Sequence, residues 1–218
     1  MPKNRKRKEL RRRQVRTVGL VVEGHAEFDA LRLLHTEKLV PGCPHLKLRN
    51  LGGVGGEVTP RGIAKRVSKK VLGLMVSGVS QVIVVIDRET RNVCPGILAG
   101  QVADELDRLL RPKGRSIRDV DIVIADRAFE AWILADAKGL HNRKVFVKAP
   151  KFGCFEGKRG VRGKLGKAEI KRLLGRDYSE TRDGPWLFQR IEFPVARDFG
   201  AGKDGSKSLD KFLRSLGV

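Results

Sequence analysis

The stretch Gln81-Val82-Ile83-Val84-Val85-Ile86-Asp87-Arg88-Glu89 (QVIVVIDRE) decides how the rest of the chain reads. Five consecutive β-branched residues form the plainest buried strand in the sequence, and it stops abruptly at charge. Upstream, Thr17–Val22 (TVGLVV) is a second short β-branched run, followed by Glu23-Gly24. From His25 to about Leu39 the apolar residues Ala26, Ala30, Leu31, Leu34 and Leu39 suit an amphipathic helix, which Pro41-Gly42 stops. Leu46–Leu51 reads as a further strand. The segment Gly52-Gly53-Val54-Gly55-Gly56 reads as a flexible connection, and Thr59-Pro60 starts a helix that runs to about Val76.

Downstream, Pro95-Gly96 leads into a helix over Ile97–Leu110, with apolar residues at 98, 102, 106 and 109 in helical period. Asp121–Ala125 is a fourth strand and Phe129–Ala137 (FEAWILADA) a helix with Glu130 near its start. The strict β-α alternation predicts an α/β fold: a Rossmann-like, mainly parallel four-stranded sheet with helices on both faces. Three regions are expected: a basic flexible arm over 1–16, a core over 17–140, and a basic loop with a helical C-terminal extension over 141–218. Within the last, 148–167 reads as a mobile loop, and short helices are expected at about 166–175, 185–191 and 207–216.

Ligands of open α/β sheets sit beyond the carboxyl ends of the strands. Glu23 falls there after the first strand, Asp87 and Glu89 after the third, and Glu130 after the fourth. Glu27, one helical turn beyond Glu23, points to the same rim. Like charges gather at a cost unless a cation lies between them or some stay protonated. A set made only of carboxylates suits Mg²⁺ or Mn²⁺.

The chain around these acids is basic. Its 218 residues carry 46 Lys+Arg against 25 Asp+Glu, a formal charge of +21. Residues 1–16 hold nine Lys/Arg and one acid, so the remainder still carries +13. That excess points to a polyanion, and with the acidic pocket it describes phosphodiester chemistry on DNA or RNA. Only 12 aromatics are present, not interleaved with the basic residues, which argues against a base-stacking platform. Cys43, Cys94 and Cys154 form no CxxC pair, which removes zinc ribbons and disulfide scaffolds and suits a reducing cytoplasm. No apolar run approaches membrane-spanning length, and the N-terminus has no apolar signal segment, so no membrane partner is expected.

VVEGHAE, then VIVVIDRET, then RAFEAWILAD resembles the Toprim fold of topoisomerases, bacterial primases, RecR-type recombination proteins and OLD-family nucleases. Closest in pattern are small stand-alone Toprim-like proteins, and SKSLDKFLRSL resembles their Ser-rich C-terminal helix. The resemblance implies that Glu23 and Asp87 hold Mg²⁺ with Glu89. Glu27 and Glu130 match additional metal-binding acids of the OLD-type arrangement. The sequence departs from the family's D-x-D: it has D-R-E, whose extra methylene moves the second carboxylate and whose Arg88 puts a positive charge beside it.

The expected activity is therefore Mg²⁺- or Mn²⁺-dependent hydrolysis or nicking of nucleic acid. Glu23, Asp87 and Glu89 would be catalytic, and Lys203 or Lys207 would meet the transition-state charge. The alternative is a noncatalytic nucleic-acid-binding protein with a degenerate Toprim core. Small Toprim-like proteins often accompany an ATPase in phage defence. No GxxxxGK[ST] is present here, so ATP use would come from such a companion. Tyr178, the only tyrosine, lies outside the motifs, which argues against topoisomerase-like strand passage.

Overall fold

A computed structural model describes residues 16–151, 156, 164–200 and 203–218. The basic arm therefore lies outside the described residues except for Arg16, as does most of the expected loop over 148–167.

Four strands, β1 (Thr17–Val22), β2 (His45–Asn50), β3 (Gln81–Asp87) and β4 (Val120–Ala125), form one sheet in the order β2-β1-β3-β4. Every pairing is parallel. The chain moves outward to β2 on one side of β1 and to β3 and β4 on the other. The topological switch point therefore lies between β1 and β3, where doubly wound sheets open a crevice for ligands. Val22 pairs with Val85, which sets Glu23 one residue short of the level of Asp87 on that edge.

Side chains alternate across the sheet with period two. Val18, Leu20, Val22, Ile83 and Val85 enter one core, with α1 (His25–Thr36), α4 (Glu130–Leu134), α7 (Glu180–Phe188) and α9 (Lys207–Leu216). Val21, Val82, Val84 and Ile86 enter the other, with α2 (Pro60–Val76) and α3 (Pro95–Leu110). Both faces are thus covered by helices, as the continuous apolar run of β3 requires. On the edge strand β2 only Leu46 and Leu48 are buried, alternating with Lys47 and Arg49. A Cβ at Gly19 of β1 would lie 2.9 Å from Leu74 Cδ1, so that glycine lets α2 lie close on the sheet.

The helices begin where their caps dictate. Thr59 accepts the Gly62 N–H at 3.2 Å ahead of Pro60, and Ser206 accepts the Leu209 N–H at 2.9 Å. Helix α6 (Lys164–Leu174) starts two residues earlier than expected, α7 five, and the sequence gave no hint of α8 (Phe193–Ala196). FEAWILADA departs from the expected single helix. It splits into α4 and α5 (Ala137–Asn142) because the Asp136 carboxylate turns to Arg143 (2.5 Å) and the Glu192 N–H (2.8 Å). Among the described residues, no helix is long and apolar enough to cross a membrane.

Candidate active site

Glu23, the first residue past β1, is 7% exposed and is held by backbone on every side. Its carbonyl accepts the Gly53 N–H (2.8 Å). Its Oε1 accepts the N–H groups of Val54 (2.8 Å) and Gly55 (3.2 Å), and its Oε2 that of Asp87 (3.1 Å). Gly52, Gly53 and Gly55 have φ of 80°, 93° and 76°, the left-handed conformation that turns these N–H groups inward at no steric cost. The glycine loop is therefore not merely a flexible connection. It is an anion nest, and the anion it holds is the protein's own carboxylate. Arg91 fastens the loop to the end of β3: it donates to the carbonyls of Asp87 (2.9 Å), Arg88 (3.3 Å) and Gly55.

Glu27, at the first turn of α1, folds back over the strand end. A Cβ at Gly24 would lie 2.5 Å from Glu27 Oε2, so the Glu-Gly-x-x-Glu spacing works only with a glycine second. Glu130 is 3% exposed at the start of α4, and its Oε1 accepts the Tyr178 hydroxyl at 3.2 Å. Glu89 sits at φ +50°, and its N–H donates to Arg127 O at 2.7 Å, extending the β3–β4 ladder beyond the strands. Left-handed backbone in a non-glycine residue is strained by about 1–2 kcal/mol. Here it aims the carboxylate at the glycine loop, where a Cβ at Gly56 would lie 2.8 Å from Glu89 Oε2.

The electrostatics tie these acids together. Burial pushes the Asp87 carboxyl well above its usual range, and the charges of Glu27, Glu23 and Glu130 push it further. Burial raises Glu27 to about 7, with Glu130 and Glu23 adding repulsion and Lys167 opposing it. Glu130 is raised by burial against the pull of Lys167, and Glu89 by burial and then by Glu23. Each is held up by dryness and by its neighbours, which is how a carboxylate rim behaves without a cation to share.

Three basic residues stand where the sequence did not place them. Arg88 leaves the rim: its guanidinium is buried and lies 2.7 Å from Asp126, so its charge is met there rather than beside Asp87. Lys203 pairs with Asp198, and Lys207 lies over the Phe199 ring at 5.6 Å. Both line a cavity of about 490 Å³ beside Glu156 rather than the carboxylate rim. The lysine that faces the acids is Lys167. Burial pulls its ammonium down, but a hydrogen bond to Glu180 and the charges of Glu130, Glu180 and Asp87 more than reverse this and keep it charged. It lies 2.7 Å from Glu180 Oε2, one residue after Gly166. A Cβ at Gly166 would lie 3.0 Å from Glu130 Cβ, so the glycine lets α6 rest directly on Glu130. Sequence reasoning missed Lys167, Arg91 and the role of Tyr178. The only local signal was the Gly-Lys pair at 166–167. Burial and Glu130 push the Tyr178 hydroxyl upward, so it stays protonated and serves as a donor to Glu130.

The donor set fits a hard divalent cation by type, since Glu23, Glu27, Asp87, Glu89 and Glu130 offer only oxygen. Their mutual repulsion fits it as well. As placed, no three His, Cys, Asp or Glu side chains among the described residues close on one point tightly enough to hold an ion. Coordination would therefore require the glutamates to rotate inward around the fixed Glu23. Comparison with protein-family models, curated proteins and solved structures finds no match for this chain.

Proposed function

We propose that this protein is a Mg²⁺- or Mn²⁺-dependent phosphodiesterase acting on DNA or RNA, with a Toprim-like site at the switch point of its sheet. The observation that supports this reading best is the convergence of mutually raised carboxyls, Asp87, Glu27, Glu130 and Glu89, around Glu23 on a strongly basic chain. In this reading Glu23, Asp87 and Glu89 hold one cation, and Glu27 and Glu130 complete the set. Such a cation supplies a Lewis acid for a phosphoryl oxygen and a counter-charge for the leaving group. The glycine loop fixes Glu23 in advance, so ordering that ligand adds little cost on binding. Lys167 meets the phosphate charge that the sequence had assigned to Lys203 or Lys207. Glu27, raised to about 7, is matched to accept a proton at neutral pH.

The test is a cleavage assay on single- and double-stranded DNA and RNA with Mg²⁺, Mn²⁺ or chelator. Cleavage should need the metal and fall at least roughly 100-fold in Glu23→Gln and Asp87→Asn. No products with either metal, and no binding of Mn²⁺ by the folded chain, would remove the enzyme reading. A noncatalytic nucleic-acid binder is then the reading left, and the lack of a closed cage among the acids as placed favours it. Such a binder keeps its affinity in chelator. A companion ATPase, in phage defence or elsewhere, is compatible with either.

A further inference from the structure

We propose that the N-terminal end of α9 is a second, separate phosphate site, and that the Glu156 carboxylate is its internal occupant. Glu156 is fifty residues before this helix in sequence, yet its two oxygens take four donors from it. Oε1 accepts the hydroxyls of Ser206 (2.5 Å) and Ser208 (2.5 Å) and the Ser208 N–H (3.2 Å). Oε2 accepts the Lys207 N–H (2.8 Å). An anion is thus already seated at this terminus.

The two serines are built to donate. Ser206 Oγ accepts the Leu209 N–H (2.9 Å), and Ser208 Oγ accepts the Trp132 Nε1–H (2.7 Å) and the Asp126 N–H (3.3 Å). Both residues are buried. With their lone pairs engaged by N–H groups behind them, the hydroxyl protons are left to point forward, into the cradle. Capping the helix needs only the Ser206 contact to Leu209; the converging donors in front go beyond it.

The carboxylate occupies part of a larger space. The cavity of about 490 Å³ in front of the cradle is walled by Lys203, Lys207 and Lys211 and by Pro95 and Gly96 at the start of α3. Two helix N-termini, of 10 and 16 residues, therefore face it together. All three lysines are exposed. Their present partners are weak competitors for a dianion: Asp198 for Lys203, the Phe199 ring for Lys207 and the Ile122 carbonyl for Lys211. The other carboxylate in the wall, Asp126, is bound by Arg88. A phosphate, with more oxygens and more charge than a carboxylate, matches this donor set better than Glu156 does.

The cradle lies on the same edge of the sheet as the acidic rim, because Asp126 directly follows β4 and Arg88 separates Asp87 from Glu89. A strand with one phosphate at the rim would lay a neighbouring phosphate here. That the phosphate belongs to nucleic acid rests on the function proposed above; the site itself does not.

The test uses the full chain in chelator, so that neither cleavage nor the carboxylate rim contributes. Inorganic phosphate, against chloride at equal ionic strength, should raise the melting temperature of Glu156→Gln by several degrees and that of the parent chain far less. Adding Lys207→Ala and Lys211→Ala to Glu156→Gln should remove that gain. A labelled single-stranded oligonucleotide should bind Glu156→Gln roughly tenfold more tightly than the parent. Should Glu156→Gln not fold, Lys207→Ala with Lys211→Ala in the parent must weaken oligonucleotide binding more than Lys69→Ala with Lys70→Ala on α2. Equal phosphate responses in Glu156→Gln, parent and lysine variants, or equal losses from the two lysine pairs, overturn the site and make Glu156 a structural cap. A phosphate response without oligonucleotide binding upholds the site and removes nucleic acid as its source, and with it the proposed substrate.

Discussion

At the scale of single residues, Glu27 carries the most exposed consequence of the fold. Its carboxyl, ordinarily near 4.5, stands at about 7 because it is buried among other acids. A raised carboxyl favours the folded state while protonated, so this contribution is complete below about pH 4.5 and is lost as pH rises through 7. Glu27→Gln, which keeps the shape without the charge, should therefore stabilise the metal-free protein at pH 8 by roughly 1–3 kcal/mol. At pH 4.5 it should change little. Urea unfolding at both pH values checks the sign, and an equal effect at each would mean that Glu27 is not held up by its neighbours. The Glu-Gly-x-x-Glu pattern was legible because both acids and the glycine that admits them lie within one helical turn. The left-handed Glu89 was not, since nothing in Asp-Arg-Glu says that Arg127, 38 residues on, will accept its N–H. Lys167 was hidden for the same reason: its neighbours are close only through space.

At the scale of elements, strands were readable wherever burial on both faces forced an unbroken β-branched run, and helices where caps and period agreed. The break between α4 and α5 was not readable. An isolated FEAWILADA is a good helix, and only partners from later in the chain, Arg143 and Glu192, draw Asp136 out of it. That tie also sets how α5 leaves α4, and the Asp136 side chain is 1% exposed while Arg143 is 34% exposed. Asp136→Ala should cost about 2–4 kcal/mol, discounted from a fully buried pair because Arg143 reaches water. Denaturant titration should give that loss with an unchanged m-value. A change under 0.5 kcal/mol would mean that the break is set by something other than this carboxylate. The D-R-E departure is also resolved at this scale. Arg88 belongs to the β3–β4 ends, paired with Asp126, so Arg88→Ala should destabilise the fold by about 3–5 kcal/mol. Rim carboxylates would keep their mutual repulsion, read as an unchanged pH dependence of stability near neutrality.

At the scale of the whole molecule, a charge of +21 surrounds a rim that excludes protons only with difficulty, and the two respond oppositely to ions. Monovalent salt screens the basic surface and weakens polyanion binding, with a slope in log K near −0.9 per phosphate neutralised on B-DNA, or −0.7 on single strands. The N-terminal arm contributes to that slope independently of the sheet, but Arg16 belongs to the body: its carbonyl accepts the His45 N–H (3.1 Å), and its guanidinium donates to Leu216 O (3.3 Å) and Gln81. Deleting residues 1–15 removes eight Lys/Arg while sparing those contacts. The melting temperature should then stay within about 2 °C, while the salt slope becomes shallower by roughly 0.7–0.9 for each arm residue that touches a phosphate. Cutting at 16 should in addition lower the melting temperature, because the start of β1 loses its anchor. An unchanged slope in the shorter deletion would place the phosphate contacts wholly on the body, where the lysines around α9 and the acidic rim would have to supply recognition without the arm.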